Sequence, residues 1–117
     1  MPVRRLISPL LLAGLLVDGA SVVAGSGEYE LPWQNPQEVL AYRSCGCGDS
    51  CWVAEVRDAQ SQAVKLRLRC DCEQLFVSQA DRSSTERPLA QSCAAINQHA
   101  DKPTAIGEAL ERLLQQP

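Results

Sequence analysis

Between Cys45 and Cys72 the chain carries five of its six cysteines and its most regular apolar pattern. From Val64 to Glu73 the even positions are Val64, Leu66, Leu68, Cys70 and Cys72, and the odd positions are Lys65, Arg67, Arg69, Asp71 and Glu73. Ten residues of strict alternation suit a half-buried strand and no helix, because only a period of two puts every apolar side chain on one face. The same parity holds upstream, where Trp52, Ala54 and Val56 alternate with Glu55 and Arg57. Folding the two runs about the polar loop Ala59 to Ala63 sets Val56 opposite Leu66, Ala54 opposite Leu68 and Trp52 opposite Cys70. Folding the preceding segment about Gly46 to Ser50 sets Tyr42 opposite Ala54 and Leu40 opposite Val56. All three strands then present apolar side chains on one face, and a slip of one residue would reverse a strand. The expectation is a three-stranded antiparallel meander.

The flanks are read more coarsely. Gly25 to Pro32 reads as a loose arm, its end pinned by Leu31-Pro32-Trp33. Asn35-Pro36-Gln37-Glu38 has the residues of a helix start and competes with a first strand through Leu40, Tyr42 and Ser44. After Glu73 the apolar parity changes to Leu75 and Val77, which predicts a bulge or bend before a short fourth strand near Gln74 to Ser78. Asp81 to Pro88 reads as a loop. Leu89, Cys93, Ile96 and Ala100 form one helical stripe, and Ile106, Leu110, Leu113 and Leu114 form a second. The expected fold is α+β: a small antiparallel sheet of three or four strands packed against two C-terminal helices and stapled by disulfides.

With 117 residues there is room for one domain. Arg4 and Arg5 precede an apolar run from Leu6 to Val17, and Val22-Val23-Ala24 offers a small-residue cleavage site, so residues 1–24 read as a signal peptide cleaved on export. A second possible cut follows Ala20. Asp18 ends the run well short of the roughly 20 apolar residues a spanning helix needs, which excludes membrane insertion after cleavage. Residues 25–117 are then a single small cysteine-rich domain, periplasmic or secreted. Loss of Arg4, Arg5 and Asp18 reduces 11 basic and 14 acidic side chains to 9 and 13, a net charge of −4. An acidic domain without a basic block is a poor nucleic-acid binder, since phosphate neutralisation dominates that affinity.

Six cysteines in a short exported domain predict three disulfides, from Cys45, Cys47, Cys51, Cys70, Cys72 and Cys93. In the meander register Cys45 and Cys51 lie opposite each other across the turn. Cys93, on the first helical stripe, would reach either Cys70 or Cys72, and Cys47 would take the one left over. The competing reading is metal: Cys45, Cys47, Cys70 and Cys72 as thiolate ligands for zinc or copper. The Cys-x-Cys spacing and an oxidising compartment favour disulfides. A reactive dithiol at Cys45-Gly46-Cys47 is a third reading, disfavoured because Asp49 opposes thiolate formation.

No catalytic motif appears, and neither an enzymatic activity nor a cofactor is expected. His99, the single histidine, reads as a helix C-terminal cap. Asp49, Asp71 and Glu73 are a calcium trio only if the fold gathers them. The odd face of the sheet carries Lys65, Arg67 and Arg69 beside Arg57, either as a solvated face in which Glu55 pairs with Arg67 or as a docking stripe. Trp33 is a candidate interface anchor. These features together point to a non-enzymatic protein-binding module of the cell envelope, of inhibitor or immunity type, whose partner is another protein.

Overall fold

A computed structural model describes residues 27–80 and 85–116. The expected signal peptide lies outside the described residues, and so do residues 81–84 of the expected loop, whose last two residues, Arg87 and Pro88, belong to a strand. Among the described residues no helix is long and apolar enough to cross a membrane.

The domain is one six-stranded antiparallel sheet in sequential order, with β1 Glu28–Leu31, β2 Glu38–Gly46, β3 Cys51–Asp58, β4 Val64–Asp71, β5 Gln74–Gln79 and β6 Arg87–Ser92. A four-residue helix α1, Ala94–Asn97, leads to the long helix α2, Lys102–Gln115. The central register is the one the alternation dictates: Leu40↔Val56 and Tyr42↔Ala54 between β2 and β3, then Trp52↔Cys70, Ala54↔Leu68 and Val56↔Leu66 between β3 and β4.

The sheet is larger and the helical cover smaller than the sequence suggests. Six strands and one long helix replace three or four strands packed on two helices. Gly25 to Pro32 is not wholly a loose arm, because Glu28–Leu31 pairs with Leu40–Arg43 as edge strand β1. The capping chemistry at Asn35 is real but builds a turn. Asn35 Oδ1 accepts from the Gln37 amide at 2.9 Å and its carbonyl accepts from the Glu38 amide at 3.0 Å, after which the chain enters β2. The parity change after Glu73 is a reversal and not a bulge: Asp71 pairs with Gln74, so Cys72 and Glu73 are the turn itself. Cys72 accordingly has φ 62° and stands outside the strand.

The helical stripe from Leu89 to Ala100 fails for a local reason. Arg87–Ser92 is captured by the free edge of β5, with Phe76 opposite Pro88, and this leaves Leu89 in a strand. Only Cys93 and Ile96 of that stripe are buried, and helix survives for one turn around Ile96. The second stripe holds at Ile106, Leu110 and Leu113 and fails at Leu114, which is 41% exposed. Asp101 caps α2 by accepting from the Thr104 amide, Pro103 occupies its first turn, and Ala105, Ile106, Ala109, Leu110 and Leu113 are buried.

The core lies between α2 and one face of the sheet, gathering Leu40, Trp52, Val56, Leu66, Leu68, Leu75 and Val77 with Ile106 and Leu110. Burying each large side chain stabilises the fold by about 2 kcal/mol. The Trp52 indole is paired, donating to Asn97 Oδ1 at 2.7 Å from α1. Three disulfides close the structure: Cys45–Cys51, Cys47–Cys72 and Cys70–Cys93. Of the two partners open to Cys93, Cys70 takes it because Cys70 faces the core and Cys72 is already in the turn. Cys70 and Cys93 are fully buried, while Cys45 and Cys47 are exposed.

Candidate interaction surface

The face of the sheet opposite α2 is a network of ion pairs. Register places Glu28, Arg43, Val53, Arg69 and Phe76 in one row across it, and Glu30, Ala41, Glu55, Arg67 and Ser78 in the next. Glu55 is the centre, only 3% exposed. It accepts from Arg67 Nε on the facing strand at 2.6 Å and from Arg57 Nη2 on its own strand at 2.6 Å. Arg57 also donates both of its terminal nitrogens to Glu28, at 3.2 and 2.6 Å. Burial alone would raise the Glu55 carboxyl, but the hydrogen bonds from Arg57 and Arg67 outweigh it and hold its pKa below the ordinary carboxylate value. Hydrogen bonding to Glu28 raises Arg57 further.

The expected docking stripe is therefore already occupied from within. Arg67 holds Glu55. Arg69 forms a two-pronged pair with Glu86 at 2.8 Å and lies over the Phe76 ring at 4.3 Å. Lys65 sits at a register shift between β3 and β4 and donates to Glu38 Oε2 at 2.8 Å. Glu38 Oε1 meanwhile accepts from the Trp33 indole at 2.9 Å, so Trp33 and Lys65 share one carboxylate while Arg67 and Arg69 are held elsewhere.

A second cluster joins the turn after β2 to the start of α2. Tyr42 donates to Asp49 Oδ1 at 2.6 Å, and Lys102 Nζ reaches Asp49 Oδ2 at 3.1 Å. The same ammonium lies 5.6 Å from the Tyr42 ring and 5.7 Å from the Trp52 ring. Burial and the bond to Asp49 push the Tyr42 hydroxyl strongly up. Burial opposes ionisation of Asp49, but the bonds from Tyr42 and Lys102 prevail and lower it. The calcium trio is not assembled. Asp49 is committed to Tyr42 and Lys102, and no group of three metal-ligating side chains occurs among the described residues. All six cysteines are bonded in pairs, which consumes the four thiols of the metal reading and the dithiol of the exchange reading. His99 caps no helix; its Nδ1 accepts from the Asp101 amide at 2.8 Å in the turn before α2.

The surface with open chemistry is the seam between the β1–β2 connection and α2. Pro32, Trp33 and Gln34 form one wall, and Pro103, Thr104, Gly107, Glu108 and Glu111 the other, around a groove of about 390 Å³. Trp33 is half-buried, with its indole N–H anchored on Glu38. Pro103, Gly107 and Glu111 recur every four residues on one stripe of α2, and Thr104 and Glu108 run beside them. This is the side of the helix left over once Ile106, Leu110 and Leu113 face the sheet. Glu108 and Glu111 form no ion pair among the described residues. Tyr29, 57% exposed, packs at a tilt of 50° against Tyr42 with centroids 5.3 Å apart, near the Pro103 end of the seam. Trp33, the expected interface anchor, lines this groove, and Thr104, Glu108 and Glu111 carry no signal in the sequence, because only the apolar side of a helix shows a period. Gly107, in an otherwise regular helix, was the available signal.

No protein-family model, curated protein or solved structure gives a match to the chain.

Proposed function

We propose that the chain is an exported, non-enzymatic protein-binding module of the cell envelope, of the inhibitor or immunity type, and that it docks through the seam between Trp33 and α2. The observation that carries this reading is that groove: an aromatic and two prolines flanked by carboxylates that form no ion pair among the described residues. Interfaces draw their energy from such aromatic anchors in desolvated sites, ringed by polar groups. Three disulfides are consistent with an oxidising extracellular compartment and support a scaffold that reaches its partner preorganised, with little ordering entropy left to lose. The leader-like residues 1–24 support export.

The reading is tested by placing a photo-crosslinking amino acid at Thr104, in the groove, and separately at Gln60, in the β3–β4 turn, and irradiating cells that export the protein. The expected result is a discrete adduct from position 104 that disappears when Trp33→Ala is added, with no adduct from position 60. Adducts of equal yield from both positions, or none from position 104, reject the seam as the docking surface. The intact mass of the recovered protein tests the scaffold. A mass six hydrogens below the reduced chain is expected for its three disulfides, and a zinc or copper adduct on reduced thiols would overturn it.

A further inference from the structure

Gly107 stands in the middle of α2, inside the fourteen-residue span Lys102–Gln115. Glycine inside a helix is unfavourable relative to alanine because it has more backbone freedom to lose. Folds tolerate that loss where another backbone crosses too closely for a Cβ. Here nothing does: a Cβ built on Gly107 meets no atom within 4 Å. Its backbone needs no special conformation either, since it is absent from the positions of positive φ. Packing inside the protein gives no reason for the residue. It bares the helix backbone at the middle of the groove wall, with Trp33 across from it and Glu108 and Glu111 beside it.

We infer that the seam takes an extended lysine- or arginine-bearing segment of another polypeptide, which lies over Gly107 with an apolar or proline side chain against Trp33 and Pro103 and a basic side chain between Glu108 and Glu111. This rests on the protein-binding reading above and adds the chemistry of the occupant. Charge complementarity selects it. Glu28, Glu55 and Glu86 each hold an arginine of the chain, and Glu38, which also accepts from Trp33, holds Lys65, whereas Glu30 in the row of Glu55 forms no ion pair among the described residues. Glu108 and Glu111 form no ion pair among the described residues, which leaves the groove with negative charge that favours a basic occupant. A segment that met Glu108 and Glu111 with carboxylates would be repelled. An extended segment suits a groove with one helical wall bared of its central side chain, where a bulkier helix would be held off by Glu108 and Thr104.

The test uses the oxidised mature protein and a phage-displayed library of random twelve-residue peptides, with selected sequences made synthetically and titrated by Trp33 fluorescence. Selected peptides should be enriched in Lys or Arg together with Pro or an aromatic. Their affinity should fall about tenfold for Glu108→Gln/Glu111→Gln, as expected for losing two partly exposed ion pairs, and should weaken with added salt. Gly107→Leu should abolish binding without lowering the thermal midpoint, because leucine favours the helix over glycine and its Cβ meets no atom within 4 Å. Arg67→Gln, on the opposite face, should leave affinity unchanged and serves as the control. Peptides that are not basic, or that bind the Glu108→Gln/Glu111→Gln protein as tightly, would overturn the occupant while leaving the docking seam standing. Failure to select any peptide sensitive to Gly107→Leu would reject the seam itself, and the protein-binding reading with it.

Discussion

Two regions of this domain use the same side chains to opposite ends. On the outer face of the sheet Glu55 sits between Arg57 and Arg67, and Glu28 and Glu86 each have an arginine too. Along α2, Glu108 and Glu111 stand beside a half-buried tryptophan and form no ion pair among the described residues. The difference shows that the count of charges on a face says little about its availability. Three basic residues in alternation look like a docking stripe, yet register places an acid within reach of each. Two glutamates on a helix look like ordinary solvated surface, yet they flank a groove floored by glycine. What distinguishes a structural charge from an available one is whether the fold supplies its counter-charge.

That contrast can be broken at several points. The largest effect is expected where the helix is tied to the sheet: Cys70→Ser/Cys93→Ser should lower unfolding free energy by about 3–4 kcal/mol, measured by urea titration. A loss below about 1 kcal/mol would mean that apolar packing of α2 suffices and that the staple is dispensable. On the outer face, Glu55→Gln should cost about 2 kcal/mol, because it strands two arginines around a buried neutral group. The same face should control the acid limit. The folded pKa of Glu55 is depressed, so its contribution is complete above the ordinary glutamate value of about 4.3 and disappears as pH falls through the lowered folded value. Glu38, Asp49 and Glu86 are lowered too and add in the same direction. A denaturation midpoint that does not decline between pH 5 and pH 2 would contradict the network, the window being about that expected for depressed carboxylates.

At the seam the predicted effects on stability are small and of different sign. Gly107→Ala should raise stability by about 0.5–1 kcal/mol, since helix propensity improves and nothing is displaced. A destabilised alanine variant would reveal a close approach at that position and remove the reason for placing a partner there. Glu108→Gln/Glu111→Gln should change stability by less than about 0.5 kcal/mol. A larger loss would show that those carboxylates are structural after all, and the two regions would cease to differ.

Much of the central sheet was legible from residue order. The parity of Leu40–Tyr42, Trp52–Val56 and Val64–Cys70 fixes one register in which all three strands bury the same face, and β2, β3 and β4 adopt it. The Glu55–Arg67 pair follows from that register, and the expected Cys45–Cys51 disulfide forms although a register shift sets Gly46 opposite Cys51. The edges were not legible. Glu28–Leu31 is too short to show a period, and Arg87–Ser92 alternates too weakly to outweigh the helical spacing of Leu89, Cys93 and Ile96. Edge strands draw on the hydrogen-bonding groups of a sheet that already exists, and those groups leave no mark on the side-chain pattern. The seam was half legible, because Trp33 advertises itself and the polar side of a helix does not.

The strictly sequential order of the strands also bears on how the chain matures. Each strand pairs with its neighbour in sequence, so the sheet can grow hairpin by hairpin, and only α2 has to search a longer loop. Thiol oxidation then acquires an expected timetable. Cys45 and Cys51, six residues apart across a single turn, meet as soon as β2 and β3 pair. Cys47 and Cys72 follow when β4 docks, and Cys70 waits for Cys93 to arrive from beyond β6. A chain threaded out of a translocation pore from its N-terminus would expose its half-cystines in nearly the order in which they find their partners, and would need little reshuffling by an isomerase.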